Sequence, residues 1–458
     1  MPSPRRSTKP EPQIDSAWAS ASETADAVSR GATTALAVVE DALARIIERD
    51  PVLNSFTAVT AERACARASA IDAARAAGDP VGPLAGVPFA VKNLFDVAGL
   101  PTVAGSKINR SHPPATRDSP LIERLEAAGA VLVGALNMGE YAYDFTGENV
   151  HDGPARNPHD VTRMTGGSSG GSGGAVAGGL VPLSLGSDTN GSIRVPSSLC
   201  GLFGLKPTYG RLSRARSFPF VSAFDHLGPL ARSARDLSLA YDAMQGPDAE
   251  DPVCTDRAPE PTASLLARGT EDLRIAVAGV AAALCANADI EIPEAGRARA
   301  AAYIITAAEG AALHLERLRT NAQDYDPAVR DRLIAGVMIP AAFVTQAQKF
   351  RRWYRAQVLP LFDQVDAILA PATPCTAPAI GQQTFVLDGV EMPLRPNLGL
   401  YTQPISFIGL PVVAVPVPLS PLPIGVQIIA APWREDIALR IAYALEQAGV
   451  CVAPRPSM

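Results

Sequence analysis

Cysteine and histidine are scarce in this chain of 458 residues. The six cysteines contain no Cys-x-x-Cys pair, so the sequence predicts neither a disulfide framework nor a structural zinc site. The five histidines form no His-Glu-x-x-His or His-x-His pattern, which argues against a hydrolytic metal centre built from histidine. We therefore expect no metal and no cofactor.

Long apolar runs and large blocks of like charge are also missing. No segment approaches the ~18 consecutive apolar residues of a membrane helix. Lys and Arg number 40 and Asp and Glu 46, for a net charge of −6, and the only basic cluster lies at the extreme N-terminus, which is polar and Pro-rich and has no apolar core of a secretion signal. These features predict a cytoplasmic protein without a nucleic-acid or membrane partner.

Helical periodicity alternates with short apolar runs along the chain. The pattern predicts helices at 22–50, 61–77, 119–128, 236–244, 300–352 and 435–448. It predicts strands at 87–91, 130–133, 181–185, 273–277, 366–370, 412–415 and 425–429. Such alternation indicates an α/β sheet. We expect residues 1–20 to form a flexible tail and residues 21–458 a single domain, with 300–352 as a helical flank.

Residues 166–179 carry eight glycines and three serines in fourteen positions. A flexible linker would be flanked by polar sequence, whereas this stretch lies between Met164 and an apolar run that reaches Leu185. A phosphate-binding loop of the GxxxxGK[ST] type needs a lysine, and a GxGxxG loop would need glycine where Val176 stands. A fourth interpretation joins the stretch to the loop that follows.

That loop, GSDTNGSIRVP at 186–196, has the composition of a catalytic turn. Glycine lets the backbone turn sharply and present consecutive N–H groups to an anion, and Ser192 could attack a carbonyl carbon beside them. A serine nucleophile needs a base, and no Ser-His-Asp arrangement is evident. Lys92 follows a buried strand and is the available base, although a surface lysine at a strand end would look the same.

Four stretches, all in the same order as in the family, resemble the amidase signature family of serine amidohydrolases. They are GVPFAVKNLFD at 86–96, GGSSGG at 166–171, GSDTNGSIR at 186–194 and GLFGLKPT at 201–208. The resemblance extends over roughly residues 20–450. It implies the amidase signature fold, in which helices cover both faces of a mixed central β-sheet, and it places the 300–352 flank near the substrate pocket.

The resemblance implies a Ser-Ser-Lys triad in which Ser192 is the nucleophile, Ser168 the bridging serine and Lys92 the base. Lysine accepts a proton only when it is neutral. Its ordinary pKa of ~10.4 must therefore fall by about 3 units for work near pH 7. Burial of the ammonium group would supply that shift.

The same resemblance assigns the oxyanion hole to backbone N–H groups of Thr189, Asn190, Gly191 and Ser192. Asn190 departs from the commoner family pattern, which has glycine there. Asparagine tolerates left-handed backbone, so the loop could keep its shape; alternatively, the Asn190 amide contacts substrate.

Three further residues are candidates for supporting the site. Asp188 and Arg194 are predicted to brace the loop by a charge-assisted pair. Ser169 is either a structural hydrogen-bonding residue or a support for catalysis.

Within the family, the stretches at 104–110, 185–192 and 428–433 are similar to the 1-carboxybiuret hydrolases of cyanuric acid (s-triazine) degradation. That similarity implies release of ammonia from a small anionic, urea-like carbamoyl compound. Arg332 resembles in position an arginine that related glutaminase subunits use on their substrate, so it is a candidate anchor for the carboxylate; otherwise it is a solvated helix arginine. Tyr325 is a weaker second candidate for substrate binding.

Two other kinds of function stay open at this point. The first is an amidase of the same reaction class, either the glutamine-hydrolysing subunit of glutamyl-tRNA amidotransferase or a broad-specificity amidase. The second is a catalytically silent binding or scaffold protein. The resemblance also suggests a homo- or hetero-oligomer and a small helical partner subunit.

Overall fold

A computed structural model describes residues 15–277 and 288–457. Its helices, in chain order, are α1 Ala21–Arg30, α2 Ala35–Leu53, α3 Ala61–Ala77, α4 Pro120–Ala127, α5 Gly170–Ala177, α6 Arg194–Cys200, α7 Ala234–Met244, α8 Ala295–Asn321, α9 Pro327–Val337, α10 Ala341–Val358, α11 Leu394–Asn397, α12 Gln403–Ser406 and α13 Glu435–Gln447.

The strands, in chain order, are β1 Phe56–Val59, β2 Pro88–Lys92, β3 Val131–Leu136, β4 Arg156–Asn157, β5 Asp160–Met164, β6 Leu183–Asp188, β7 Phe203–Lys206, β8 His226–Ala231, β9 Ile275–Val277, β10 Ala288–Asp289, β11 Ala367–Pro371, β12 Thr384–Leu387, β13 Val390–Pro393, β14 Val412–Val417 and β15 Ile424–Ala430. Eleven of these described strands form one sheet in the order β1-β3-β2-β6-β8-β7-β14-β15-β11-β9-β10. The sheet is mixed, because β3, β2 and β6 run parallel while β6, β8, β7, β14 and β15 pair antiparallel.

Alternating residues of the central strands face two separate cores. Phe89 and Val91 of β2 belong to the larger core, together with α4, α7 and α13, whereas Ala90 between them faces a second core with α2, α3 and α5. All five residues of β2 are buried, which explains why its sequence reads as a continuous apolar run. The α/β architecture with helices on both faces of the sheet is therefore confirmed.

The main departure from the predicted helices lies near the N-terminus. The predicted helix at 22–50 is two helices, since Gly31 adopts a left-handed backbone with φ of 72° and ends α1. Thr34 then accepts a hydrogen bond from the Ala37 N–H and begins α2, which continues past Pro51 to Leu53. The periodicity of the two helices is similar, so the pattern alone did not separate them.

The glycine- and serine-rich stretch is not a loop throughout, because its second half forms α5. A Cβ at Gly171 would lie 2.4 Å from the Ser55 carbonyl oxygen and 2.6 Å from the Asn137 backbone nitrogen. Glycine is a poor helix former, so close packing against neighbouring backbone is the reason this composition is needed here.

The predicted helical flank at 300–352 consists of most of α8 together with α9 and most of α10. None of the described helices is by itself long and apolar enough to span a bilayer. The pair Pro327–Val337 and Ala341–Asp363 passes that test only when taken together, and it is bent by 96°.

Part of the predicted tail falls within the described residues. In the segment 15–20, the Trp18 ring lies under the guanidinium groups of Arg232 and Arg455, and Arg45 donates to the Ser16 hydroxyl at 2.9 Å. Residues 1–14 lie outside the described residues.

Candidate active site

Two parallel strands bring Lys92 and Ser187 together at one edge of the sheet. β2 and β6 are neighbours in register, so their carboxyl ends lie at the same edge of the sheet. Lys92, the last residue of β2, is fully buried, and its Nζ donates to the Ser168 hydroxyl at 2.6 Å and to the Ser187 hydroxyl at 2.9 Å. The structure thus joins Lys92 to the predicted bridging serine through a direct hydrogen bond.

Ser168 is buried at the turn that leads into α5. The Gly167–Ser168 peptide bond is cis, and the Ser168 carbonyl accepts a hydrogen bond from the Gly139 N–H at 3.1 Å. Next to it, the Ser169 hydroxyl donates to the Ser187 carbonyl at 3.2 Å and accepts from the Ser187 N–H at 3.3 Å. Ser169 therefore ties the 168–169 turn to the end of β6.

Burial lowers the pKa of Lys92 to about 7, because the ammonium form loses its hydration inside the protein. The carboxylates of Asp188, Asp225 and Asp144 act in the opposite direction without overcoming this effect. Near neutral pH a large fraction of Lys92 is consequently neutral and able to accept a proton.

Ser192 lies on the loop between β6 and α6 and is nearly buried, with 3% of its surface exposed. Its hydroxyl donates to no other described residue. The backbone N–H groups of Asn190, Gly191 and Ser192 likewise donate to none of the residues that the structure describes. A serine hydroxyl beside several uncommitted N–H donors is the arrangement that an acyl-transfer site requires.

A buried ion pair closes the loop at its two ends. Arg194 donates from Nε to Asp188 Oδ2 at 2.9 Å and from Nη2 to Asp188 Oδ1 at 3.0 Å, and both side chains are fully buried. Burial acts to raise the pKa of Asp188, but the charge and hydrogen bonds of Arg194 outweigh it and hold that pKa well below its usual range. Arg194 also donates to Gln427 Oε1 at 2.9 Å, which anchors the loop to β15.

Asn190 is held by two contacts from other parts of the chain. Its Nδ2 donates to the Thr306 hydroxyl on α8 at 3.0 Å, and its carbonyl accepts from the Thr402 hydroxyl at 2.7 Å. Its Oδ1 is buried and has no hydrogen-bond partner among the described residues. The side chain thus connects the loop to the helical flank.

The remaining loop residue, Thr189, pairs with a buried carboxylate. Its hydroxyl donates to Asp225 Oδ1 at 2.6 Å. Burial raises the pKa of Asp225, against hydrogen bonds from Thr189 and from the backbone of Phe220 and Val221. A cavity of about 140 Å³ adjoins this pair and is also lined by Ser187.

Arg332 lies on α9 with its guanidinium 4.0 Å from the centroid of the Tyr143 ring. Its Nε donates to the Ala328 carbonyl at 2.7 Å and its Nη2 donates to the Tyr143 carbonyl. Asp144 acts electrostatically on both Arg332 and Lys92, so the two cations share a neighbour. Arg332 is thus a half-buried side chain on the flank that contacts backbone carbonyls and an aromatic ring, and its role in substrate binding stays a prediction.

Tyr325 is buried just before α9. Its hydroxyl is 3.1 Å from His314 Nδ1, and its ring packs against those of Tyr141 and His314. This places Tyr325 in an aromatic cluster that supports the flank. Its role in substrate binding stays a prediction.

Sequence reasoning missed three residues that hold the site together. The Ser187 hydroxyl accepts a hydrogen bond from Lys92, and the Thr402 hydroxyl donates to the Asn190 carbonyl. Asp225 accepts from the Thr189 hydroxyl. Only Ser187 carried a signal, since it lies near the end of a strand inside the 186–194 motif. Within residues 15–277 and 288–457, no three His, Cys, Asp or Glu side chains are grouped as metal ligands would be.

Comparison with known proteins extends the likeness to nearly the whole chain. The family model described as Amidase matches residues 37–302 and 288–439. The chain is 53% identical over 448 residues to the AtzE subunit of 1-carboxybiuret hydrolase from Pseudomonas sp. (strain ADP), covering 93% of this chain and 98% of that protein. It is 38% identical over 456 residues to a subunit of glutamyl-tRNA(Gln) amidotransferase from Azotobacter vinelandii (strain DJ), covering 89% and 93%.

Solved structures agree with these sequence relatives. A vestigial protein complex that reveals the evolutionary origins of an s-triazine catabolic enzyme matches with a TM-score of 0.94 at 52% identity, over 95% of this chain and 100% of that chain. A bacterial aryl acylamidase of the amidase signature family matches with a TM-score of 0.86 at 27% identity, over 94% and 96%.

Proposed function

The chain belongs to the amidase signature family, and from that premise we propose that it hydrolyses 1-carboxybiuret, a small carboxylated carbamoyl compound, with release of ammonia. The observation that carries the proposal is the 2.6 Å hydrogen bond between buried Lys92 and Ser168, next to a loop that presents Ser192 and free N–H groups. The identity of 53% to a 1-carboxybiuret hydrolase subunit supports this substrate over a general amide.

In the proposed first half-reaction, the Ser192 oxygen attacks the carbonyl carbon of a terminal carboxamide. The Ser192 proton passes to the Ser168 hydroxyl oxygen as the Ser168 proton passes to neutral Lys92. The N–H groups of Thr189, Asn190, Gly191 and Ser192 then stabilise the negative oxygen of the tetrahedral intermediate.

The intermediate collapses when the carbon–nitrogen bond breaks. The Lys92 ammonium returns its proton through Ser168 to the leaving nitrogen, which departs as ammonia and leaves an acyl ester on Ser192. In the second half-reaction a water molecule attacks the ester as its proton passes through Ser168 to Lys92. The bond between the acyl carbon and the Ser192 oxygen then breaks, and the proton returns from Lys92 through Ser168 to that oxygen, which frees the acid and restores Ser192.

The supporting residues keep this geometry in place. We assign Ser169 to holding the end of β6, and Asp188 with Arg194 to holding the loop between its ends. Their hydrogen bonds are buried, and breaking a buried ion pair by removing one partner is costly, at about 3–5 kcal/mol. The function of these residues is therefore to preserve the orientation of the N–H donors.

We assign recognition of the substrate carboxylate to Arg332. Guanidinium groups bind carboxylates through paired N–H donors, and the stacking on Tyr143 and the backbone contacts restrict this side chain to one orientation. Because binding then needs little further ordering, a restricted arginine discriminates well between a carboxylated amide and a neutral one.

The proposal includes a small helical partner subunit. Its support is the match to a protein complex over 95% of this chain. We also place the enzyme in the cytoplasm, in keeping with the free thiols of the five described cysteines.

The test is ammonia release from 1-carboxybiuret, generated in place by enzymatic ring-opening of cyanuric acid, beside biuret, glutamine and simple amides. Fast release from 1-carboxybiuret alone, abolished in Ser192→Ala, is the expected result. Faster release from glutamine would favour the amidotransferase alternative, and faster release from simple amides would favour a general amidase. Silence on all substrates with and without a co-expressed partner, together with no labelling of Ser192 by a fluorophosphonate, would favour the scaffold alternative.

A further inference from the structure

Thr402, which no sequence pattern singled out, contacts the proposed oxyanion loop from the segment just before α12. The side chain is fully buried, and its hydroxyl lies 2.7 Å from the Asn190 carbonyl oxygen and 3.2 Å from the Gly399 carbonyl oxygen. A hydroxyl has one proton to donate, and the shorter distance assigns that proton to Asn190.

The Asn190 carbonyl and the Gly191 N–H belong to one peptide unit. That unit is planar, and in a trans peptide the C=O and N–H bonds point in opposite directions. Both bonds lie in the peptide plane, so whatever fixes the direction of the carbonyl aims the N–H in the opposite direction. The Gly191 N–H has no partner among the described residues.

We propose that Thr402 is a positioning residue that aims the Gly191 N–H at the developing oxyanion by holding the carbonyl of the same peptide unit. The inference rests on the proposed amidase function, in which this N–H is a donor to the transition state. Thr402 does so without contacting the reacting atoms, since its hydroxyl is committed to the backbone of the loop.

Thr402 is itself fixed by the far end of the same loop. Its carbonyl accepts from Arg194 Nη1 at 3.1 Å, and Arg194 also carries the paired hydrogen bonds to Asp188. Hydrogen bonds thus connect Asp188 through Arg194 and Thr402 to Asn190, and the backbone from 188 to 190 closes the ring. A ring of this kind leaves the Asn190–Gly191 peptide little freedom to rotate.

Packing against Gly191 restricts the same peptide from a second direction. Gly191 has a φ of 145°, and a Cβ at this position would lie 2.2 Å from Thr402 Oγ1 and 2.9 Å from Thr402 Cβ. Only glycine allows this approach, so the loop glycine and the buried threonine depend on each other.

The experiment compares Thr402→Val with Thr402→Ser in the full-length chain, with its partner if one is needed. Valine has nearly the shape of threonine but no donor, whereas serine keeps the donor. We expect kcat for ammonia release to fall about 30- to 100-fold in Thr402→Val, with KM changed less than about 3-fold. We expect Thr402→Ser to stay within about 3-fold of the unaltered enzyme.

Two further measurements separate positioning from a structural role. The acid limb of the pH–rate profile should stay in place, because Thr402 does not touch Lys92, and the rate of fluorophosphonate labelling of Ser192 should fall with kcat. The inference is overturned if Thr402→Val keeps a kcat within about 3-fold of the unaltered enzyme, or if Thr402→Ser loses as much as Thr402→Val.

A folding defect in Thr402→Val has its own control. Thr402→Ala also lacks the donor but adds no bulk. The kcat of Thr402→Ala is therefore compared with that of Thr402→Ser at a temperature where circular dichroism shows both variants folded. Failure of the proposed function would look different: the unaltered enzyme itself would release no ammonia, or Ser192→Ala would retain activity.

Discussion

At the scale of single residues, the chemistry depends on one lysine that is neutral at ordinary pH. Among the residues that the structure describes, no carboxylate is in hydrogen-bonding contact with Lys92, whose two hydrogen bonds go to the hydroxyls of Ser168 and Ser187. Hydroxyls stabilise the ammonium form less than a carboxylate would, so burial determines the outcome and the pKa falls. The site therefore obtains a base from complete burial alone.

The first prediction concerns pH. Because Lys92 must be unprotonated to act and its pKa is about 7, kcat/KM should rise as pH increases, with a half-maximal value near pH 7. The measurement is ammonia release between pH 5.5 and 9. Lys92→Arg, which keeps the charge but cannot act as a base in this range, should be inactive. A profile that is flat from pH 6 to 8 would contradict the assignment of the base.

The second prediction concerns Arg332. Hydrogen bonds to charged groups contribute about 1.5–3 kcal/mol, so Arg332→Ala should raise KM for the carboxylated substrate about 10- to 100-fold. A neutral amide has no carboxylate to lose, and its KM should change less than about 3-fold. Arg317 on α8 also stacks on an aromatic ring, that of Phe218, so Arg317→Ala is the matched control. Equal effects of Arg332→Ala on both substrates would remove the proposed anchor.

At the scale of elements, α5 shows packing overriding intrinsic preference. Glycine is worse than alanine in a helix by about 1 kcal/mol, yet four of the first five residues of α5 are glycines. Backbone atoms of Ser55 and Asn137 lie too close to Gly171 to leave room for a Cβ there. The helix is consequently able to approach the edge of the sheet where Lys92 ends.

The third prediction compares two helical glycines. Gly171→Ala should lower the free energy of unfolding by about 2–3 kcal/mol, because the new methyl group meets backbone that cannot move aside. A Cβ at Gly296 in α8 would have no neighbouring atom within 4 Å, so Gly296→Ala should raise the free energy of unfolding by about 0.5–1 kcal/mol. Urea unfolding followed by circular dichroism measures both. If both substitutions stabilised the protein, propensity rather than packing would control α5.

Helix ends on the face opposite α5 are joined by two acidic side chains, of which Asp236 is buried and Glu446 is half-buried. Asp236 of α7 accepts from the backbone N–H groups of Ala21 and Ser22 at 2.9 Å each, and thereby caps α1. Glu446 of α13 accepts from the Ala234 N–H at 3.1 Å and caps α7. These contacts replace hydrogen bonds that helix N-termini cannot make internally.

At the scale of the whole molecule, the three linked helices make global stability depend on pH. Burial raises the pKa of Glu446 to about 7, while in the unfolded chain it is near ~4.3. The folded form therefore binds this proton more tightly. The stabilisation is fully present below the unfolded pKa and is lost as pH rises through 7.

The fourth prediction follows from that sign. Glu446→Gln keeps the acceptor for the Ala234 N–H but carries no charge, so at pH 8.5 it should be more stable than the unaltered protein by about 1–2 kcal/mol. At pH 4 the difference should nearly vanish, because Glu446 is then largely protonated in both the folded and the unfolded chain. Glu316→Gln on the exposed side of α8 is the control. The idea fails if the stabilisation by Glu446→Gln is the same at both pH values.

The order of elements was largely predictable because each strand and helix carries its own local pattern. The predicted helix at 61–77 coincides with α3, and the predicted strands around 87–91 and 412–415 lie within β2 and β14 to within one residue or two. Errors arose where local pattern was ambiguous or overridden, at Gly31 and in α5. Strands β7 and β8 were not predicted as such, since their glycines and prolines weaken the strand signal.

The amino-acid sequence by itself determined the kind of chemistry that this protein performs. The loop 186–194 carries its nucleophile, its N–H donors and its bracing ion pair within nine residues, and residues so close in the chain stay close in any fold. For the same reason Ser168 and Ser169 could be assigned from a short motif.

Only the tertiary structure decided how that chemistry is tuned. The pKa of Lys92 depends on burial, which arises from the whole sheet and its two helix layers and from no single segment. The contacts of Asn190 with Thr306 and Thr402 join residues 116 and 212 positions apart along the chain. Such contacts leave no trace in local spacing, because the chain between them is free to take any path until the folded core specifies one.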